Sequence, residues 1–191
     1  MMERVRSWLP LLPLLLLLGA TYWLNLQVQP SDSAGNQALR HDPDYIVDNF
    51  TATSLDKAGK IRFVMSAQKM VHYPDNDTTL LVAPKISSFA AEYPPLNITA
   101  KSGEISSQGD DVYLRNDVTI IRPAYANQDT LTFLTDYLHV MPQKNTADTD
   151  QHVTMLEKQG TLNAVGMELD GKARIVKFLS QVTSVYETHK K

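Results

Sequence analysis

The chain has 191 residues, with 18 lysines and arginines against 21 aspartates and glutamates, a net charge of −3 and no cysteine. The lack of cysteine excludes a disulfide framework, a thiolate metal site and a cysteine nucleophile. A mildly acidic chain without a clustered basic face also excludes a nucleic-acid footprint.

The first element is apolar. Residues 7–31 carry no charge, and between Leu9 and Leu18 only Pro10 and Pro13 interrupt a run of leucine. A helix rises about 1.5 Å per residue, so such a stretch can cross a hydrocarbon core about 30 Å thick. Glu3, Arg4 and Arg6 give a short, weakly basic start, which an uncleaved anchor and a cleaved signal peptide share. Gly19-Ala20 offers a small residue for cleavage, but Leu18 is bulky where a small side chain is needed. The apolar run also continues through Tyr22, Trp23, Leu24 and Leu26, and its aromatic pair suits a membrane–water interface. Flanks and length therefore favour an uncleaved single-pass anchor, with Arg4 and Arg6 in the cytoplasm and the bulk of the chain outside. The organisation that follows is a cytoplasmic tip and transmembrane anchor over residues 1–29, a polar linker with Gly35 and Asn36 over 30–43, and one domain over 44–191.

From Tyr45 onward the dominant signal is two-residue alternation. Ile61, Phe63, Met65 and Ala67 are apolar with mixed residues between them. The same pattern recurs in residues 96–100, in 112–115 continuing to Val118 and Ile120, and in 131–133. Period two puts alternate side chains on one face, so each run is a strand with one buried side. Pro74, Asp75-Asn76-Asp77, Pro84, Pro94-Pro95, Gly109-Asp110, Pro123 and Pro142 punctuate the runs with turn formers. No later segment carries a helical stripe, and the domain is predicted to be all-β. Residues 63–88 can be laid without gaps on 96–121, pairing Ser66 with Thr99, Ala67 with Ala100, Asp77 with Asp110 and Leu81 with Leu114. A third copy starts at Leu131. A period of roughly 33 to 35 residues points to stacked β-layers, although with so few identities chance likeness between strands reads equally well.

Motifs of chemistry are missing. His41, His72, His139, His152 and His189 show no metal-ligand spacing and read as scattered surface residues. Asp75-Asn76-Asp77 begins like a calcium loop, but Leu80 stands where the tight-turn glycine belongs and Ile86 where the bidentate glutamate belongs, leaving a hairpin turn. No phosphate-binding glycine loop and no Gly-x-Ser-x-Gly elbow occurs, and adjacent strand residues such as Asp110-Asp111 point to opposite faces. Asn49, Asn76 and Asn97 head glycosylation triplets too short to carry weight. No catalytic residue, metal or cofactor is expected.

The order of short motifs carries a resemblance. Asp44-Tyr45 and Asn49-Phe50 lead into residues 56–63, then Ala67-Gln68, His72-Tyr73-Pro74-Asp75 with Asp77, residues 81–84 and 96–100, Leu114 with Val118, and Thr135-Asp136. Behind a single N-terminal anchor this order resembles the LptC family, the bitopic inner-membrane component of the lipopolysaccharide export machine, over essentially the whole chain. Two departures stand out. Residues 152–171 carry extra residues before Gly160, Gly166 and Gly171, and the C-terminal strands match only through Val176, Phe178 and Tyr186-Glu187.

The resemblance implies a twisted, open β-jelly-roll of the OstA/LptA kind. Its apolar groove would take lipopolysaccharide from the ATP-driven transporter (LptB, LptF and LptG) and pass it to the periplasmic bridge protein LptA by strand-to-strand docking. Open edges template strand addition, and each sheltered methylene adds about 0.8 kcal/mol. With no nucleotide site in this chain, ATP hydrolysis falls to a partner. The expected groove residues are Ile61, Phe63, Met65, Leu81, Ile98, Leu114, Phe133, Val176 and Tyr186, each of which reads also as ordinary core. Phe50, Ala52, Thr53 and the turn residue Gly59 are expected at the transporter-side edge. Val182, Thr183, Ser184, Val185 and Tyr186 are expected at the LptA-side edge. Two other classes stand beside this reading: a structural tether that joins transporter and bridge without touching lipid, and a periplasmic enzyme, which clustered and strongly shifted titratable groups in a pocket would support.

Overall fold

The structure is a computed structural model that describes residues 11–28, 41–90, 93–126, 128–173 and 175–186. Residues 1–10, 29–40 and His189 lie outside the described residues, and with them the expected cytoplasmic tip and most of the expected linker. The chain forms two compact units divided after residue 40. The first contains one helix, α1 (Leu11–Val28), of 18 residues. No helix among the described residues is long and apolar enough to cross a membrane.

The second unit is all-β. Its strands are β1 (Tyr45–Leu55), β2 (Ile61–Tyr73), β3 (Thr78–Val82), β4 (Lys85–Ala90), β5 (Tyr93–Thr99), β6 (Ser102–Ile105), β7 (Val112–Arg122), β8 (Leu131–Met141), β9 (Thr146–Glu157), β10 (Gly160–Asp170) and β11 (Ile175–Tyr186). All belong to one 11-stranded sheet, and every pairing is antiparallel.

The sheet is creased. β2 pairs with β4 through residues 63–66 and with β3 through residues 69–73, while β7 pairs with β6 through 112–115 and with β5 through 119–121. The long strands change half-sheets at the same level. Asn49 in β1, Asn116 and Asp117 in β7, Gly166 in β10 and Gln181 in β11 take positive φ there, between 50° and 78°. Asn, Asp and Gly enter that left-handed region at least cost. Across the gap between the short strands the ladder is maintained by Ala83 N–H to the Lys101 carbonyl at 2.8 Å and Lys101 N–H to the Asn116 carbonyl at 2.9 Å. The crease also carries the ion pair of Lys101 with Asp117, which holds the lysine pKa above its usual value.

Burial is greatest beside the crease. Leu114, Val118, Leu138, Val153 and Met167 lie within three residues of it and are at most 1 % exposed. The equivalence of Leu81 with Leu114 and of Met65 with Ile98 appears here as equivalent burial, since all four belong to one apolar cluster.

Two details differ from the sequence reading. Pro94-Pro95 fall inside β5 rather than in a turn. They occupy the irregular stretch between the Ser88–Leu96 and Ala90–Tyr93 pairs, where the ladder asks least of a residue without an N–H. The histidines are also not uniformly on the surface, as described below.

Candidate functional site

Away from the crease the halves of the sheet separate and leave two adjoining cavities. The inner one, about 50 Å³, is lined by Phe63, Met65, Ile86 and Ile98 of one half and by Val140 and Ala147 of the other. The outer one, about 220 Å³, is lined by Tyr93, Leu96 and Phe133 on one side and by Leu169, Ile175 and Val176 on the other. Ser88, Leu96, Asn145 and Leu169 line both, so the two lie side by side along one groove between the half-sheets. Its walls are mainly apolar because period-two strands turn their apolar faces inward from both sides.

The expected groove residues do not all reach the cavities. Phe63, Met65, Ile98, Phe133 and Val176 line the cavities. Leu81 and Leu114, next to the crease, are 2 % and 0 % exposed and line neither cavity. Ile61 and Tyr186 lie at strand ends and are 49 % and 63 % exposed. Leu96 and Leu169, shared by both cavities, were not expected. Their period-two phase was legible, but nothing in the sequence says which inward residues face a cavity rather than a packed layer.

The edges are as distinct as the groove. β1 pairs only with β2, and β11 only with β10. Phe50, Ala52 and Thr53 sit on β1 opposite Ala67, Met65 and Val64. Gly59, with φ of 78°, closes the β1–β2 turn, where the Asp56 carboxylate accepts from the N–H groups of Ala58 and Lys60 at 2.8 and 2.9 Å. Val182, Thr183, Ser184, Val185 and Tyr186 form the exposed end of β11.

Sequence reasoning missed a pair of histidine clamps. His72 Nδ1 lies 2.7 Å from Asp44 Oδ1 and its Nε2 3.1 Å from Asp77 Oδ1, with the ring stacked on Tyr45 at 4.6 Å. His139 repeats the device: Asp111 is 2.7 Å from Nε2, Asp148 is 3.2 Å from Nδ1, and Tyr113 stacks at 4.9 Å. The hydrogen bond that His72 donates to Asp44 first, and then that to Asp77, raises its pKa above its ordinary 6.5, while the same contact lowers that of Asp44. Each clamp ties one strand to a residue at or just before the start of its neighbours. Neither histidine lines the groove, so both act as fasteners. Asp44 and Asp111, each 28 residues from its histidine, leave no local spacing from which to read them.

Against known proteins, the sequence profile of the family described as "Lipopolysaccharide-assembly, LptC-related" matches residues 11–187. No curated protein matches the sequence. Among solved structures the chain is similar to LptH of Pseudomonas aeruginosa, described as the LptA homologous periplasmic component of the conserved lipopolysaccharide transport device. The TM-score is 0.51 at 8% identity, covering 66% of this chain and 95% of that one. At that identity the likeness is one of fold.

Proposed function

The chain belongs to the lipopolysaccharide-assembly, LptC-related family, and on that footing we propose that its β-domain takes acyl chains of lipopolysaccharide into the groove between the half-sheets and hands the lipid to LptA through the outer edge of β11. The coarser statement rests on the family directly: the chain is a non-enzymatic component of lipopolysaccharide transport, of a family of inner-membrane proteins with a periplasmic domain. In the proposed arrangement residues 1–29 are the anchor, 30–43 the linker and 44–191 the periplasmic domain. The uncharged sequence supports the anchor by extending beyond α1 on both sides, from residue 7 to residue 31. The β1 edge, with Phe50, Ala52, Thr53 and the Gly59 turn, faces the transporter formed by LptB, LptF and LptG.

The observation that carries this reading is the pair of adjoining apolar cavities lined from both half-sheets. Acyl chains there leave water as they would in a core, at about 0.8 kcal/mol per methylene. The unpaired outer edges of β1 and β11 offer backbone donors and acceptors for strand addition at either end of the sheet. Those edges equally favour the second reading, a tether that joins its neighbours and never holds lipid.

A photo-crosslinking residue at Val176, in the membrane-embedded protein with its transporter, separates the two. An ATP-dependent adduct with lipopolysaccharide is expected. No adduct at Val176 while one at Val185 still captures LptA would establish the tether instead.

A further inference from the structure

The groove holds one charged side chain in its inner cavity. Arg62 lines that cavity together with Phe63 and Met65, and no carboxylate does. It projects from β2 and donates through Nη2 to the Pro142 carbonyl and through Nη1 to Gln143 Oε1 at 3.2 Å. Pro142 and Gln143 belong to the turn between β8 and β9, on the opposite half-sheet. These side-chain hydrogen bonds join the two halves across the groove.

Its partners are unusual for a partly buried guanidinium, because both are neutral. Arg115, by contrast, is paired with Glu104 at 3.1 Å. Lys144, the residue after Gln143, places its Nζ 3.6 Å from the Met141 sulfur. A planar fork of donors held by two neutral oxygens, on the wall of an apolar cavity, is suited to an anion. A phosphate satisfies the fork with charge-assisted, bidentate hydrogen bonds that neutral acceptors cannot match.

We propose that Arg62 is the headgroup ligand of the groove: with acyl chains between the half-sheets, a phosphate on the lipid's sugar takes the guanidinium from Pro142 and Gln143, with Lys144 beside it. The exchange releases the β8–β9 turn from β2, so a lipid that fits also removes the cross-strut. Arg122, which lines the outer cavity, shares it with the carboxylate of Asp170 and contributes less. This assignment rests on the groove holding lipid at all.

The test uses the full chain in detergent micelles with three probes: intact lipopolysaccharide, the same lipid stripped of its phosphates by hydrofluoric acid, and inorganic phosphate. Wild type is expected to prefer the intact lipid by about tenfold, the scale of one charge-assisted contact. Arg62→Gln should abolish that preference while binding of the stripped lipid is unchanged, Arg62→Lys should retain much of it, and Arg122→Gln should lower it slightly. Inorganic phosphate should fail to displace the intact lipid. Equal weakening of both lipids by Arg62→Gln would make Arg62 a structural strut only. An unchanged preference, or displacement by inorganic phosphate, would also overturn the assignment. If neither lipid binds to wild type, the groove reading falls, and this assignment with it.

Discussion

His72 joins the end of β2 to Asp44, the residue that leads into β1, through a 2.7 Å contact in which the imidazole is 13 % exposed. The pair fixes where the first edge strand begins, and it titrates in opposite senses. The His72 pKa is raised above 6.5, so its contribution is complete below that value and is lost as pH rises through the raised pKa. The Asp44 pKa is lowered below 3.8, so its contribution is present above that value and is lost as pH falls through the lowered one. Attachment of β1 is thus firmest in mildly acidic solution. Amide exchange of Tyr45, Ile46 and Val47, corrected for intrinsic rates, should be slower relative to the core at pH 5.5 than at pH 8.5, both chosen to bracket roughly the ordinary histidine pKa. His72→Gln should flatten the dependence, and a variant that kept it would assign the effect elsewhere.

Gly103 on β6 lies between Leu81 of β3 and Leu114 of β7. A Cβ there would come 3.1 Å from Leu114 Cδ2 and 3.2 Å from Pro84 Cγ. Gly103→Val should therefore lower unfolding stability by about 1–3 kcal/mol through overpacking, read as a lower denaturant midpoint. Pairing Gly103→Val with Leu114→Ala, which opens space at the same point, should cost less than the sum of the two single losses.

Phe63 and Leu81 are expected to respond differently to charge. Leu81 is 2 % exposed beside the crease, and a carboxylate there has no water and no partner, so Leu81→Asp should cost several kcal/mol and unfold the domain. Phe63 is only partly buried and lines the cavity. Phe63→Asp should leave strand circular dichroism and LptA capture intact while abolishing lipid crosslinking at Val176. Parallel loss of LptA capture would show that Phe63 serves the fold rather than the groove.

The outer edge of β11 carries Val182 and Val185, 53 % and 64 % exposed. Lysines at exposed edge positions oppose strand addition by charge and hydration. The double variant Val182→Lys, Val185→Lys should retain the domain's melting temperature and lose capture of purified LptA. Unchanged capture would move the docking site off this edge.

The strand content of this molecule is legible from alternation alone: Ile61 through Ala67 and Val112 through Ile120 keep one phase over their length. The crease is not. Val112, Leu114, Val118 and Ile120 stay in phase across Asn116-Asp117 because two residues of positive φ preserve parity while turning the chain, so a run that reads as one strand serves both halves of the sheet. The groove is hidden for a related reason. Ile98 and Leu114 look alike in sequence, and only their place relative to the bend makes one a cavity wall and the other a packed interior. Arg62 was still less visible, since its partners at Pro142 and Gln143 lie 80 and 81 residues away.

Because most strands run through both halves, the walls of the groove are not separate bodies that can part. Widening the mouth would change the angle at Asn49, Asn116, Asp117, Gly166 and Gln181 while the ladder on either side stays paired. A groove built this way would open like a book along its spine: the work would be a small torsion spread over many pages, with no page torn out.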